Sequence, residues 1–232
     1  MFVVLMFIAL PFVIACSFLG RIKGGNYIYR ICSLWGFIWY FLVGIRHENI
    51  YESKPDTSSH YVIVANHISY MDIPPAVMAM KQPLRVLGKY ETTKIPIFGY
   101  IYKTAVITVE RSSQHDRSKS VRLLKKYIDQ NISIFIFPEG TFNVTPKPLK
   151  DFYDGAFRIA IETSTNIKPL LFIDTLERLH YRSFFNLTPG KSRVVFLDEV
   201  SVKGLTTKDI PFLKQKVYQL MDEGLRRYRH YA

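Results

Sequence analysis

Acidic residues are scarce in this 232-residue chain: 19 Asp+Glu stand against 31 Lys+Arg, for a formal net charge of +12. An excess of that sign points to an acidic partner: nucleic acid, an anionic membrane surface or a negatively charged small molecule. Cysteine is scarcer still. Cys16 and Cys32 are the only two, both inside apolar segments, so neither a disulfide framework nor a zinc site can be built from them. The 6 His are scattered without H-E-x-x-H spacing, and no metal site or cofactor is expected. There is no internal repeat and no low-complexity linker. Polar bias is missing too: 48% of residues are hydrophobic, which excludes a disordered chain. The length suits one sizeable core, or one domain with an appendage.

Charge is absent from Met1 to Leu19. A helical run of about 20 residues matches the hydrocarbon core of a bilayer, and Pro11 within it is tolerated in lipid. A basic link follows with Arg21, Lys23 and Arg30, then a second uncharged run, Ile31 to Ile45, carrying the interface-favouring Trp35, Trp39 and Tyr40. A secretory signal would need a basic region before the apolar run, and none is present; Val13 to Cys16 resembles a lipoprotein cleavage box but lacks that region as well. Core helices of a soluble fold would show one apolar face, whereas these runs are apolar all round. Before His47 the charges are Arg21, Lys23, Arg30 and Arg46, all positive, which places the link and the following domain on the cytoplasmic side of the cell (inner) membrane. The expectation is a two-segment hydrophobic anchor over 1–46, monotopic or spanning once, followed by an α/β domain over 47–232.

That domain alternates short β-branched runs with helical patterns. Tyr61–Ala65, Ala105–Val109, Ile132–Phe137, Pro169–Ile173 and Arg193–Leu197 read as buried strands. Ser118–Ile128 and Asp154–Thr163 read as helices, and Thr206-x-x-Asp209 opens a last helix with a stripe of Leu213, Val217, Leu220, Met221 and Leu225. This order predicts an α/β fold with a mostly parallel or mixed sheet flanked by helices.

Chemistry-bearing residues gather at three places. Asn66-His67 ends the first of these strands, with Asp72 five residues beyond His67. On one continuous helix the two would point about 140° apart, but they meet if His67 closes the strand and Asp72 lies on the next turn. A carboxylate on one imidazole nitrogen fixes the tautomer and leaves the other to take a proton. Taken alone, the pair reads as a helix cap beside a turn histidine. Phe137-Pro138-Glu139-Gly140-Thr141 follows the most apolar strand, and on its own could be an ordinary strand-ending turn. Arg111 suits a phosphate through its paired donors; on its own it is a surface arginine beside an acid.

Together, Asn66-His67 with Asp72, then Arg111, then Phe137-Pro138-Glu139-Gly140-Thr141, in this order behind an apolar N-terminus, resemble the glycerolipid acyltransferase family, in particular the bacterial 1-acyl-sn-glycerol-3-phosphate (lysophosphatidic acid) acyltransferases. Ile167-Lys168-Pro169-Leu170 and Phe152–Phe157 resemble further stretches of that family. The resemblance implies a membrane enzyme of phospholipid biosynthesis that moves an acyl group from acyl-CoA or acyl-carrier protein to a lysophospholipid hydroxyl. It implies His67 as general base, Asp72 as its orienting carboxylate, Arg111 as the acceptor-phosphate residue, and Asn66, Glu139, Gly140 and Thr141 as acceptor-binding residues. The family acts without an acyl-enzyme, in keeping with the absence of a G-x-S-x-G elbow; Ser69 is then supporting structure.

One position departs from the pattern. Where the family usually has Arg or Ser after F-P-E-G-T, this chain has Phe142. A phenyl ring cannot bind an anion by charge-assisted hydrogen bonds. Either Arg111 with Lys147 or Lys150 holds a phosphate, or the acceptor is another lysolipid such as a lyso-aminolipid. A catalytically silent lipid-binding protein is the reading from another class. The basic, aromatic C-terminus from Leu225 suits an anionic leaflet or a helix end facing solvent. No nucleic-acid motif accompanies it, so nucleic acid is not an expected partner.

Overall fold

The computed structural model describes residues 2–109, 122–182 and 186–229. Among these, the strands are β1 (Ile45–Tyr51), β2 (Val62–Ala65), β3 (Leu84–Lys89), β4 (Val106–Val109), β5 (Ser133–Ile136), β6 (Ile167–Phe172) and β7 (Gly190–Phe196). The helices are α1 (Phe2–Ser17), α2 (Gly25–Leu42), α3 (Ile73–Met78), α4 (Phe98–Ala105), α5 (122–128), α6 (Gly155–Glu162), α7 (Thr175–Arg178) and α8 (Ile210–Tyr228). The strands form one sheet in the order β1-β7-β6-β2-β5-β3-β4. Neighbours run parallel except β6 and β7, which are antiparallel. The expected mostly parallel, mixed α/β sheet is therefore present, with β1 and β7 reversed at one edge.

The middle strands are apolar on both faces because both are covered. Val62, Val64, Ile134, Ile136 and Leu171 pack against α5, α6 and α8. Ile63, Ala65, Phe135, Leu170 and Phe172 face α2 and α3. Pro169 lies inside β6 without breaking it. Its carbonyl accepts from Leu197 N at 3.1 Å, so its missing N–H faces the β7 side, where the ladder begins only at Leu170. The expected cap before the last helix is formed: Asp209 Oδ2 accepts from Thr206 N and Oγ1, both at 2.8 Å. Leu213, Val217, Met221 and Leu225 then enter the core.

Two strands have no counterpart in the sequence expectations. β1 reads I-R-H-E-N-I-Y and is an edge strand, half solvated and therefore polar. β3 contains Arg85, whose buried guanidinium makes it look like surface. That guanidinium donates to Asn26 Oδ1 at 2.8 Å and to the Arg21 and Ile22 carbonyls at 3.2 Å. It thereby locks the link Gly20–Gly24 onto the sheet. A Cβ on Gly25 would lie 2.4 Å from Arg85 Nη2, so a larger residue there would push the guanidinium from this position.

The N-terminal segment differs from the expectation in length and in its inner face. α1 has 16 residues, about 24 Å at 1.5 Å per residue. Among the described residues no helix is long and apolar enough to cross a membrane. α2 is a core helix on one side, burying Ile28, Tyr29, Trp39 and Tyr40. Its other side exposes Leu34, Phe37, Phe41 and Leu42. All-round apolarity here therefore serves two environments, a protein core inward and an exposed apolar surface outward.

Candidate active site

Strands β2, β5 and β6 run the same way, so their carboxyl ends share one edge, where α/β sites collect. His67 follows β2 by two residues, Glu139 follows β5 by three, and Thr175 follows β6 by three. After β2 the chain turns through a short 3₁₀ turn, Tyr70–Asp72, capped at Ser69, which brings Asp72 back beside His67. His67 Nδ1 and Asp72 Oδ2 are 2.8 Å apart. The same Oδ2 accepts from Ile68 N at 2.7 Å and Ser69 N at 2.9 Å, and Oδ1 accepts from Thr175 Oγ1 at 2.5 Å. Asp72 is thus both the capping-box partner of Ser69 and the histidine's partner. Its carboxylate is fully buried, while the His67 side chain keeps 17% exposure. With Nδ1 held, Nε2 is the nitrogen left for chemistry.

Glu139 is fully buried. Oε1 accepts from His67 N and Oε2 from Lys150 N, each at 2.9 Å. Burial pushes its pKa up to about 7 despite these two donors, with the nearby Asp72 charge adding to the rise. Asn66 has a similar bridging position: its amide donates to Phe172 O at 2.9 Å and accepts from Phe172 N at 2.8 Å, tying the end of β2 to β6. In this geometry both residues hold the frame around His67. Gly140 sits at φ +72° and its N–H donates to Phe137 O at 3.1 Å, a turn that suits glycine. Thr141 is exposed, and Lys150 Nζ donates to its hydroxyl at 2.8 Å. Lys147 is exposed on the same loop. Arg111 lies outside the described residues.

Two contributors, Thr175 and Tyr40, had little or no signal in the sequence, and a third, Phe137, stood in the F-P-E-G-T stretch without a sign of its role. Thr175 completes the donor set of Asp72, and it is placed by Asp174, whose carboxylate takes Arg193 of β7 through Nε at 2.8 Å and Nη2 at 2.6 Å. Phe137 stacks on the His67 ring, centroids 3.9 Å apart and planes 16° apart. Tyr40 of α2 donates to Met71 O at 3.3 Å, so the N-terminal hairpin touches the turn that carries Asp72. Only the placement of Asp174-Thr175 just after a strand hinted at the first. Ser69 is a support, as expected: its hydroxyl accepts from Met71 N at 3.0 Å and donates to Leu179 O. Among the described residues no group of three or more His, Cys, Asp or Glu could hold a metal ion.

A buried carboxylate that holds one nitrogen of a largely covered histidine at a strand edge leaves the other nitrogen able to take a proton. Comparison with known proteins gives that chemistry its class. The acyltransferase family model matches residues 44–173, more than half of the chain, and the chain belongs to this family. It is an acyltransferase enzyme. A 1-acyl-sn-glycerol-3-phosphate acyltransferase of Haemophilus influenzae is 28% identical, covering 84% of this chain and 80% of that protein. The 1-acyl-sn-glycerol-3-phosphate acyltransferase alpha of Mus musculus is 26% identical over 94% of this chain and 75% of its own length. The crystal structure of the 1-acyl-sn-glycerophosphate acyltransferase PlsC of Thermotoga maritima shares the fold, with a TM-score of 0.71 at 23% identity, covering 94% of this chain and 87% of that one.

Proposed function

We propose that the chain moves a fatty acyl group from acyl-CoA or acyl-carrier protein to the free hydroxyl of 1-acyl-sn-glycerol 3-phosphate, giving phosphatidic acid. The observation that carries this is the His67–Asp72 pair at 2.8 Å, placed on an acyltransferase domain. The names of the bacterial and mouse relatives support the acceptor. Nε2 of His67 takes the hydroxyl proton as the oxygen attacks the thioester carbonyl, and Asp72 stabilises the imidazolium that forms. The C–S bond then breaks and the thiolate leaves with the proton, without an acyl-enzyme.

The reaction takes place at a membrane surface, on the cytoplasmic side of the inner membrane. α1 buries only Met6 and Val13, while Phe18 and Phe41 are 84% and 83% exposed. An apolar face of this extent favours lipid over water. β7 and β1 run opposite to β6, so Gly190 and Ile45, which pair, lie at the carboxyl edge of β6. The hairpin therefore joins the sheet on the edge that carries His67. Lys150, beside Thr141, supplies a cation for the acceptor phosphate, with Arg111 and Lys147 as further bases.

One observation favours a second acceptor class. Phe142 packs its ring at 4.4 Å from His67 at the position where an anion-binding arginine is usual, which suits a lyso-aminolipid. The test offers the purified full chain in mixed micelles one acyl thioester with lysophosphatidate or a lyso-aminolipid. Faster acylation of lysophosphatidate supports the proposal. Acylation of only the other acceptor rejects it in favour of the second reading.

A further inference from the structure

A direct-transfer site faces a competitor that it cannot recognise by chemistry. Water offers His67 the same O–H as the acceptor does. If water attacks, its oxygen bonds to the acyl carbon and the C–S bond breaks. One water proton passes through Nε2 to the departing thiolate, leaving free fatty acid and free thiol. A site that transfers must keep loose water from that nitrogen.

Aromatic rings pack around His67. One face of the imidazole is covered by Phe137, which is itself wedged against Phe135 at 5.1 Å and Phe172 at 6.2 Å. Phe142 approaches at 63° to the imidazole plane, and Tyr70 meets Phe142 edge-on at 4.7 Å. The chain beside Phe142 is anchored. The next residue, Asn143, is buried; its N–H donates to His67 O at 2.7 Å, and its side chain bonds Lys147 O at 2.8 Å and Thr145 N at 3.0 Å. The loop that would present a cation and its hydration shell presents a fixed phenyl ring instead. We propose that Phe142, backed by Tyr70, is a positioning residue that excludes water from His67 and sets the partition between acyl transfer and thioester hydrolysis. This rests on the thioester-dependent reaction proposed above.

The experiment measures acylated lipid and free fatty acid together, with the full chain in mixed micelles, lysophosphatidate, and both acyl-CoA and acyl-carrier protein as probes. Wild type, Phe142→Ala, Phe142→Leu and Tyr70→Ala are compared. The ratio of fatty acid to acylated lipid rises roughly tenfold in Phe142→Ala, the scale of two lost ring contacts. It stays near wild type in Phe142→Leu, which restores an apolar cover, and moves the same way by less in Tyr70→Ala. Both products falling together in Phe142→Ala at an unchanged ratio would overturn the proposal. Should Phe142→Ala lose its melting transition, Tyr70→Ala decides, since Tyr70 is 45% exposed; an unchanged ratio there overturns it. A wild type that forms no acylated lipid from either thioester removes the proposed reaction itself, a distinct failure.

Discussion

Replacing Asp72 by Asn separates the charge of the carboxylate from its shape, and the donors around the two oxygens set the result. Oδ2 receives His67 Nδ1, Ile68 N and Ser69 N, whereas Oδ1 receives the Thr175 hydroxyl. An Asn amide fits in one orientation: its oxygen takes the Oδ2 place and keeps both backbone donors. Its NH₂ takes the Oδ1 place, where the Thr175 hydroxyl rotates from donor to acceptor. The fold therefore survives, with a loss of about 1–2 kcal/mol as charge-assisted bonds become neutral ones. Catalysis does not. At an effective dielectric of about 20, a carboxylate 2.8 Å from the imidazolium is worth at most on the order of 6 kcal/mol, about four decades in rate, and part of it is kept by the Asn oxygen, so kcat falls by about 10²–10⁴. Thr175→Val alone removes one of the donors and costs about 1.5–3 kcal/mol. In the double variant the Thr175 partner is lost from a neutral amide instead of a carboxylate, so the combined loss falls short of the sum of the single losses by about 1 kcal/mol. Urea unfolding and steady-state acylation measure both quantities. Additive stabilities, or an Asp72→Asn enzyme within a few-fold of wild type, would overturn this reading of the carboxylate.

Further outcomes come from the frame residues. Glu139 has its pKa raised from 4.5 to about 7, so its contribution to stability is full below the lower value and is lost as pH rises through the upper. Wild type should lose about 3 kcal/mol relative to Glu139→Gln between these limits, and a pH-independent difference in unfolding free energy would contradict this. Asn66→Ala strips both partners from the buried Phe172 backbone and should cost about 2–5 kcal/mol in urea unfolding; a change within error would show that water replaces them. Arg85→Met leaves the Arg21 and Ile22 carbonyls and Asn26 without their donor. It should speed proteolytic cleavage in Gly20–Gly24 while the sheet domain stays resistant, and unchanged cleavage would argue against the lock.

The parts legible in the sequence are those set by local pattern. Val62–Ala65 and Ser133–Ile136 announce themselves because both faces are buried, and the Thr206–Asp209 cap and the stripe of α8 because helical spacing is regular. The His67–Asp72 meeting needs only five residues of chain and one turn. Less legible is whatever depends on distant partners. β1 is polar because it lies at an edge, and its pairing with β7 joins residues far apart in sequence. Arg85 reads as surface until its carbonyl partners in the link are seen. Glu139 has the residue type of a substrate ligand, but only the fold shows its oxygens turned to the His67 and Lys150 amides. Thr175 carries no motif at all; its role exists because β6 ends beside β2.

The proposed mechanism turns on Nε2 of His67, held through Nδ1 by Asp72, taking the acceptor's proton. The decisive measurement is the rate of phosphatidic acid formation from an acyl thioester and lysophosphatidate by His67→Ala, at matched melting temperature and micelle binding. That rate should lie about 10²–10⁴ below wild type. A rate equal to wild type in the folded, micelle-bound variant would mean that His67 is not the base.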